Sequence, residues 1–310
     1  MNDSVSSINI TDNQYPALLK EIHDPPQRIF IRGQLPPKDA LCLSVVGTRH
    51  MTRYGLHAVE TLVPPLARLG VVIVSGLAFG VDAAAHRATL SANGYTVAIL
   101  PGGIDDASIA PSTHRTLAHE ILEHGGCLLS ECLPGTKTHK GSFPIRNRLI
   151  AGMSKATLII ESTCASGTMV TAAHAVSENR DVLAVPGNIN APYSQGPLTL
   201  LSRGAILIRS FEDLALALGI EHKTGTPREV SQELQPLYGM ARRAKFPKNS
   251  NRSTTCFNRR TLWMISPSNC IAPRKTFLHA SHNWSCRDSS AQQTRFCTCA
   301  FDNSNTHRAL

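Results

Sequence analysis

Seven short apolar runs separated by helix-length stretches dominate residues 40–220 of this 310-residue chain. The runs LCLSVVG, VVIVSG, YTVAILPGG, GCLLSE, ATLIIE, DVLAVPG and GAILI are rich in β-branched residues, and several are almost unbroken, as strands buried on both faces require. Between them lie GLHAVETLVPPLARLG, VDAAAHRATLSANG, THRTLAHEILEHGG, PIRNRLIAGMS, GTMVTAAHAVSENR and FEDLALALGI, all of helical length. Pro64 and Pro65 are expected to bend or split the first of these. The alternation predicts an α/β fold, a doubly wound, mostly parallel, Rossmann-like sheet.

In such a sheet ligands bind outside the carboxyl ends of the strands. The residues that follow the runs are small and expose backbone: Gly47-Thr48-Arg49, Ser75-Gly76, Pro101-Gly102-Gly103, Ser130-Glu131, Glu161-Ser162 and Pro186-Gly187-Asn188. The first turn, GTRHMTRYG, places Arg49 and His50 where a dinucleotide fingerprint needs glycine, and no Walker A sequence is present. Neither NAD nor ATP is expected, and no cofactor is assigned.

The loop SGLAFGVDAAAH keeps anion-binding character. Gly76 and Gly80 permit positive φ and bare N–H groups, and Asp82 is placed to cap the helix that carries His86. Farther along, FPIRNRLIAG puts Arg146, Asn147 and Arg148 in the first turns of a helix, where cations are disfavoured by the dipole. Arg148 has a structural alternative, an ion pair with Glu131 or Glu161. With Arg49 and Lys140 these arginines predict a basic pocket, and Phe143 offers a surface on which a base can stack.

That pocket must be local. The chain carries 31 Lys and Arg against 22 acids, a net charge of +9, but twelve of the bases and only two of the acids lie in 241–310. Positions 1–240 therefore hold nineteen bases against twenty acids, a balance of −1. Five of the nine cysteines, Cys256, Cys270, Cys286, Cys297 and Cys299, crowd the same tail, and no spacing fits a zinc site, so no metal is assigned. The opening MNDSVSSINI lacks a basic segment ahead of an apolar one, and no apolar run approaches a membrane span; a soluble, cytoplasmic protein is expected.

The ordered series VVGTR, SGLAFGVDAAAH, FPIRNRLIAG, SGTMVTAAHA and AVPGN resembles the DprA/Smf family of DNA-processing proteins over residues 15–220. The resemblance implies a Rossmann-like domain that binds single-stranded DNA without catalysis, dimerises, and loads RecA during natural transformation. It further implies a backbone-phosphate contact at Arg49, with Gly47 and Thr48 beside it, and phosphate and base-stacking contacts at Lys140 and Phe143. Arg146, Asn147, Arg148, Ser166 and Gly167 would close the pocket. Ser75, Gly76, Gly80, Asp82, His86, Gly102 and Gly103 would shape its floor, with His86 and Asp82 read as scaffold.

Two departures stand out. The family's G-L-D-x-x-Y-P-x-x-N is GIDDASIAPSTH here, with Ala110 for tyrosine and His114 for asparagine. From about 241 the sequence shows no sustained period and no winged-helix pattern, so a linker and disordered basic tail are expected over 223–310, and a flexible stretch over 1–14. The rival reading is a nucleotide phosphoribohydrolase of the LOG (lysine-decarboxylase-like) type, whose P-G-G-x-G-T-x-x-E loop is split here: P-G-G-I-D lacks G-T, and Thr171 stands where the glutamate would act.

Overall fold

The structure, a computed structural model, describes residues 4–220. The elements in chain order are β1 (Ser6–Asn9), α1 (Ala17–Lys20), β2 (Arg28–Gly33), β3 (Cys42–Val46), α2 (Arg53–Arg68), β4 (Val72–Ser75), α3 (Val81–Ser91) and β5 (Thr96–Ile99). There follow α4 (Arg115–Glu123), β6 (Cys127–Ser130), α5 (Ser142–Gly152), β7 (Ala156–Ile159), α6 (Gly167–Ser177), β8 (Asp181–Ala184), α7 (Gln195–Ser202), β9 (Ile206–Leu207) and α8 (Phe211–Leu218). The expected tail falls outside the described residues. Within them no helix is long and apolar enough to cross a membrane.

All seven predicted strands form, in the order β6-β5-β4-β3-β7-β8-β9, and every neighbouring pair among them is parallel. Alternation within each strand serves two helical layers. Val72, Val74, Val97, Ile99 and Leu129 pack towards Leu149 and Ile150 of α5 and Ala172 of α6. Leu43, Val45, Ile73 and Leu158 face the other way, onto Val59 and Leu62 of α2, Val81 and Ala85 of α3, and Leu214 of α8. The chain runs outward from β3 in one direction through β4, β5 and β6, and in the other through β7, β8 and β9. The β3/β7 boundary is therefore the topological switch point, where an open α/β sheet presents its crevice.

Three expectations are corrected. Residues 6–9 are strand and not free chain: β1 pairs antiparallel with β2, which pairs antiparallel with β6 and extends the sheet to nine strands. Pro64 and Pro65 do not split α2, which runs unbroken from Arg53 to Arg68. The two prolines forfeit only their own two backbone N–H bonds, and Val63, Leu66 and Ala67 beside them are buried and held by packing. The helix carrying Arg146 begins not at Pro144 but two residues earlier, at Ser142, so its arginines sit in the second turn.

Candidate functional site

The loop after β4 is held from every side. The Gly76 carbonyl accepts from Arg146 Nη1 at 2.7 Å, and the Leu77 carbonyl accepts from His114 Nδ1 at 2.8 Å. Leu77 itself adopts φ 56, a left-handed conformation rare for a branched side chain, while remaining fully buried. The Ala78 N–H donates to Asp82 Oδ2 at 3.4 Å, and the nearby Gly76 backbone helps hold that carboxylate ionised.

These contacts change the expected role of the loop. Asp82 is not the helix cap: Gly80 holds that position at φ 73, and Asp82 lies inside the first turn of α3. At Gly80 any Cβ would meet the Thr48 carbonyl at 2.3 Å, so glycine lets α3 close against the turn after β3. Gly76 supplies space and not positive φ, since a Cβ there would lie 2.3 Å from Arg146 Nη1. The Ala78 N–H is turned to Asp82 and not towards a ligand.

Arg146 is a buried strut. It is 5% exposed and its Nη1 also donates to the Ile99 carbonyl, so one guanidinium ties the carboxyl ends of β4 and β5 to α5. Burial pulls its pKa down to about 10, partly offset by the Asp82 carboxylate. Burial likewise raises the Asp82 pKa, against the pull of Arg146 and of the Ala78 and Gly76 backbone. Arg148 is also engaged, through Nη2 to both carboxylate oxygens of Glu131 at 2.9 and 2.8 Å and through Nε to Asp24 at 3.3 Å. The structural alternative therefore holds for Arg148, which does not line the cleft.

A cleft of about 550 Å³ opens at the switch point. The turn after β3 forms one wall with Gly47, Thr48, Arg49 and His50; α5 adds Phe143, Arg146 and Asn147. The start of α6 forms the opposite wall with Ser166, Gly167 and Thr168, and Ala78 and Asp82 underlie it. Thr48 is fixed by its N–H to the Glu161 carbonyl at 2.7 Å and by its carbonyl, which accepts from Val81 N–H at 3.2 Å. Asn147 Nδ2 donates to the Gly167 carbonyl at 3.2 Å, tying α5 to α6. Arg49 is exposed and places its guanidinium carbon 4.7 Å from the centre of the Phe143 ring, within cation–π range.

The start of α6 is the cleft's second electropositive element. Ser166 occupies the cap position, but its side chain makes no capping bond and lies 2.6 Å from Ser162 Oγ. The first N–H groups of α6 thus meet the cleft without a side-chain cap, where the helix dipole favours an anion. Among the described residues Glu161 pairs with no arginine: Thr52 donates to it through N–H at 2.9 Å and through its hydroxyl at 2.6 Å.

A profile of the DNA recombination-mediator protein A family matches residues 6–219, the whole of this sheet and its helices. The chain belongs to that family. Among its relatives, DNA processing protein DprA of Bacillus subtilis is 39% identical over 211 residues, covering 68% of this chain and 70% of that one. Protein Smf of Escherichia coli is 40% identical over 200 residues, 64% of this chain but 53% of that protein, so the match spans about half its length. The solved structure of DNA processing protein A from Helicobacter pylori, a protein that binds single-stranded DNA, superposes with a TM-score of 0.62 at 30% identity. It covers 70% of this chain and 98% of that one.

Several other residues expected in the family's pocket stand outside the cleft. Lys140 is exposed in the segment leading into α5 and does not line it. Gly102 and Gly103 cradle that segment instead: Gly103 N–H donates to the Thr136 carbonyl at 2.9 Å, and a Cβ on Gly102 would lie 2.5 Å from Thr138 Oγ1. Ser75 is buried and donates to the Val45 carbonyl at 2.7 Å, bracing β4 on β3.

His86 is fully buried beside Thr96, the first residue of β5. Thr96 gives its own hydroxyl proton to the Ile73 carbonyl, so it accepts from His86 Nδ1 at 2.8 Å and the ring is assigned the Nδ1–H tautomer. Burial lowers its pKa to about 3, which keeps it neutral. It acts as scaffold and not as cleft lining.

Sequence reasoning missed Tyr193, Thr163 and Thr168, all of which line the cleft. Thr163 lies in irregular chain, Thr168 at a helix start and Tyr193 in a three-residue 3-10 helix, with no periodicity to mark them. It also missed the use of His114, which replaces the family's asparagine yet buttresses the opening loop through Leu77.

Proposed function

We propose that this protein binds single-stranded DNA at the switch-point cleft, with little sequence preference, and delivers it to RecA as a homodimer. The observation that carries the reading is the Arg49–Phe143 pair at the cleft. An exposed cation beside an aromatic face offers one contact to phosphate and one to a base, and neither depends on base identity. The start of α6 adds a fixed positive end for a second phosphate. Lys140, exposed on the segment entering α5, supplies a further phosphate contact from outside the cleft.

The near-neutral charge of 1–240 supports a site that acts through a local pocket and not through a whole-surface field. Binding without catalysis is favoured over phosphoribohydrolysis because Glu161 is committed to Thr52 and Asp82 to the loop's own Ala78 N–H. The binding of single-stranded DNA by the Helicobacter pylori relative supports the same ligand. The experiment has two arms, run with the full chain. One follows RecA assembly on single-stranded DNA with and without this protein, and the other follows release of free adenine from AMP. Accelerated RecA assembly with no base release is expected; base release, or an Arg49→Ala variant as effective as the parent, overturns the proposal.

A further inference from the structure

A second hollow, of about 530 Å³, lies between α2 and α3. It shares a wall with the DNA cleft. His50 and Ala78 line the cleft, while their chain neighbours Met51 and Phe79 line the hollow, so the two spaces are one residue apart on both strands of the wall. Phe79 is 46% exposed although it follows a fully buried strand, and its ring meets His114 edge-on, with centroids 4.8 Å apart and planes at 64°. One face of a large apolar ring is thereby held in a fixed orientation and left in solvent. Beside it lie the exposed guanidinium of Arg87 and carboxylate of Glu60, over a floor of Ala83, Ala84 and Ala88.

We infer that this hollow is a second nucleotide subsite on the same strand, in which Phe79 stacks an unpaired base and Arg87 holds the adjoining phosphate. The inference rests on the DNA-binding reading of the cleft. Continuity with that cleft fixes the occupant: a strand leaving Phe143 and Arg49 over the 49–51 turn meets Phe79 next. The chemistry agrees, since the small alanine floor admits a planar ring against Phe79, and a cation stands on the rim where the backbone would pass. Glu60 accepts hydrogen bonds only, so it favours a base that presents an exocyclic amine at this position. Any modest base preference of the protein therefore arises here and not at Phe143.

The test compares the full chain with Phe79→Ala, Phe79→Trp and Arg87→Ala on two labelled oligodeoxycytidylates, whose bases carry an exocyclic amine. One, of about 4 nucleotides, fills a single site; the other, of about 16, crosses both. Phe79→Ala is expected to weaken binding of the longer strand by about tenfold and to leave the shorter unchanged, with Phe79→Trp restoring it. Arg87→Ala is expected to lower the salt slope for the longer strand by about 0.7. Phe79→Ala that binds both lengths like the parent overturns the subsite while leaving the cleft reading intact. Equal weakening on both lengths, or a DNA-free change in oligomeric state that accounts for the loss, also overturns it. A parent chain that binds neither length overturns both readings together.

Discussion

The Arg49 guanidinium and the Phe143 ring, 4.7 Å apart, join the turn after β3 to the first turn of α5 at the switch-point cleft. Each restrains the other, so on the proposed DNA-binding reading their contributions are expected to be coupled. Phe143→Ala is expected to cost about 1–3 kcal/mol of affinity for single-stranded DNA, and Phe143→Tyr to retain most of it. In a double-mutant cycle with Arg49→Ala the two losses fall short of additivity by about 0.5–1 kcal/mol. Titration of a labelled oligonucleotide by fluorescence anisotropy measures all four corners.

Arg146 behaves differently from Arg49 because it is buried. Arg146→Ala strips the partner from the Gly76 and Ile99 carbonyls and leaves Asp82 facing an uncompensated interior. A loss of about 3 kcal/mol of folding stability is expected, seen as a lower urea midpoint. Gly76→Ala acts on the same joint from the other side, forcing a Cβ to within 2.3 Å of the guanidinium, and lowers stability in the same assay.

Arg148→Ala separates position in the motif from position in the cleft. Its guanidinium is held by Glu131 and Asp24, so its removal is expected to cost about 1 kcal/mol of stability and to leave DNA affinity unchanged. A tenfold loss of affinity with normal stability would place Arg148 on the DNA path.

These arginines mark the limit of what the sequence reveals. All seven parallel strands are legible, and for all but the edge strand β9 the reason is burial on both faces, which writes them as near-continuous apolar runs. The antiparallel strands β1 and β2 are not, because SSIN is mostly polar and exposed while RIFIRG carries a buried arginine, Arg32, near its end. The cleft's composition is legible as motif: Gly47, Thr48, Arg49, Phe143, Ser166 and Gly167 all meet there. Which of three arginines stays free is not, since burial and partners, not residue type, divide Arg49 from Arg146 and Arg148. The glycine loop shows the same limit, because the Ala78 N–H looks available until Asp82 is seen to take it.

His86 predicts an acid-sensitive fold. Its pKa falls from 6.5 to about 3 on folding, so between those values the unfolded chain binds the extra proton and stability declines as pH falls from about 6.5 towards 3. The slope is on the order of 1 kcal/mol per pH unit. The raised pKa of Asp82 opposes it, because that carboxyl takes up its proton in the folded state first as pH falls. His86→Asn keeps a donor for Thr96 without the titration; urea unfolding at neutral and mildly acid pH is expected to show a smaller pH dependence for the variant than for the parent.

The most direct measurement of the central claim is the affinity of the full chain for a labelled single-stranded oligonucleotide across salt, for the parent, Arg49→Ala and Phe143→Ala. The basic residues of 241–310 are common to all three proteins, so differences between them report the cleft. The predicted result is salt-sensitive binding by the parent, a slope of log affinity on log salt shallower by about 0.7 for Arg49→Ala, and weaker binding with unchanged slope for Phe143→Ala. Three folded proteins that bind equally, or not at all, would contradict it.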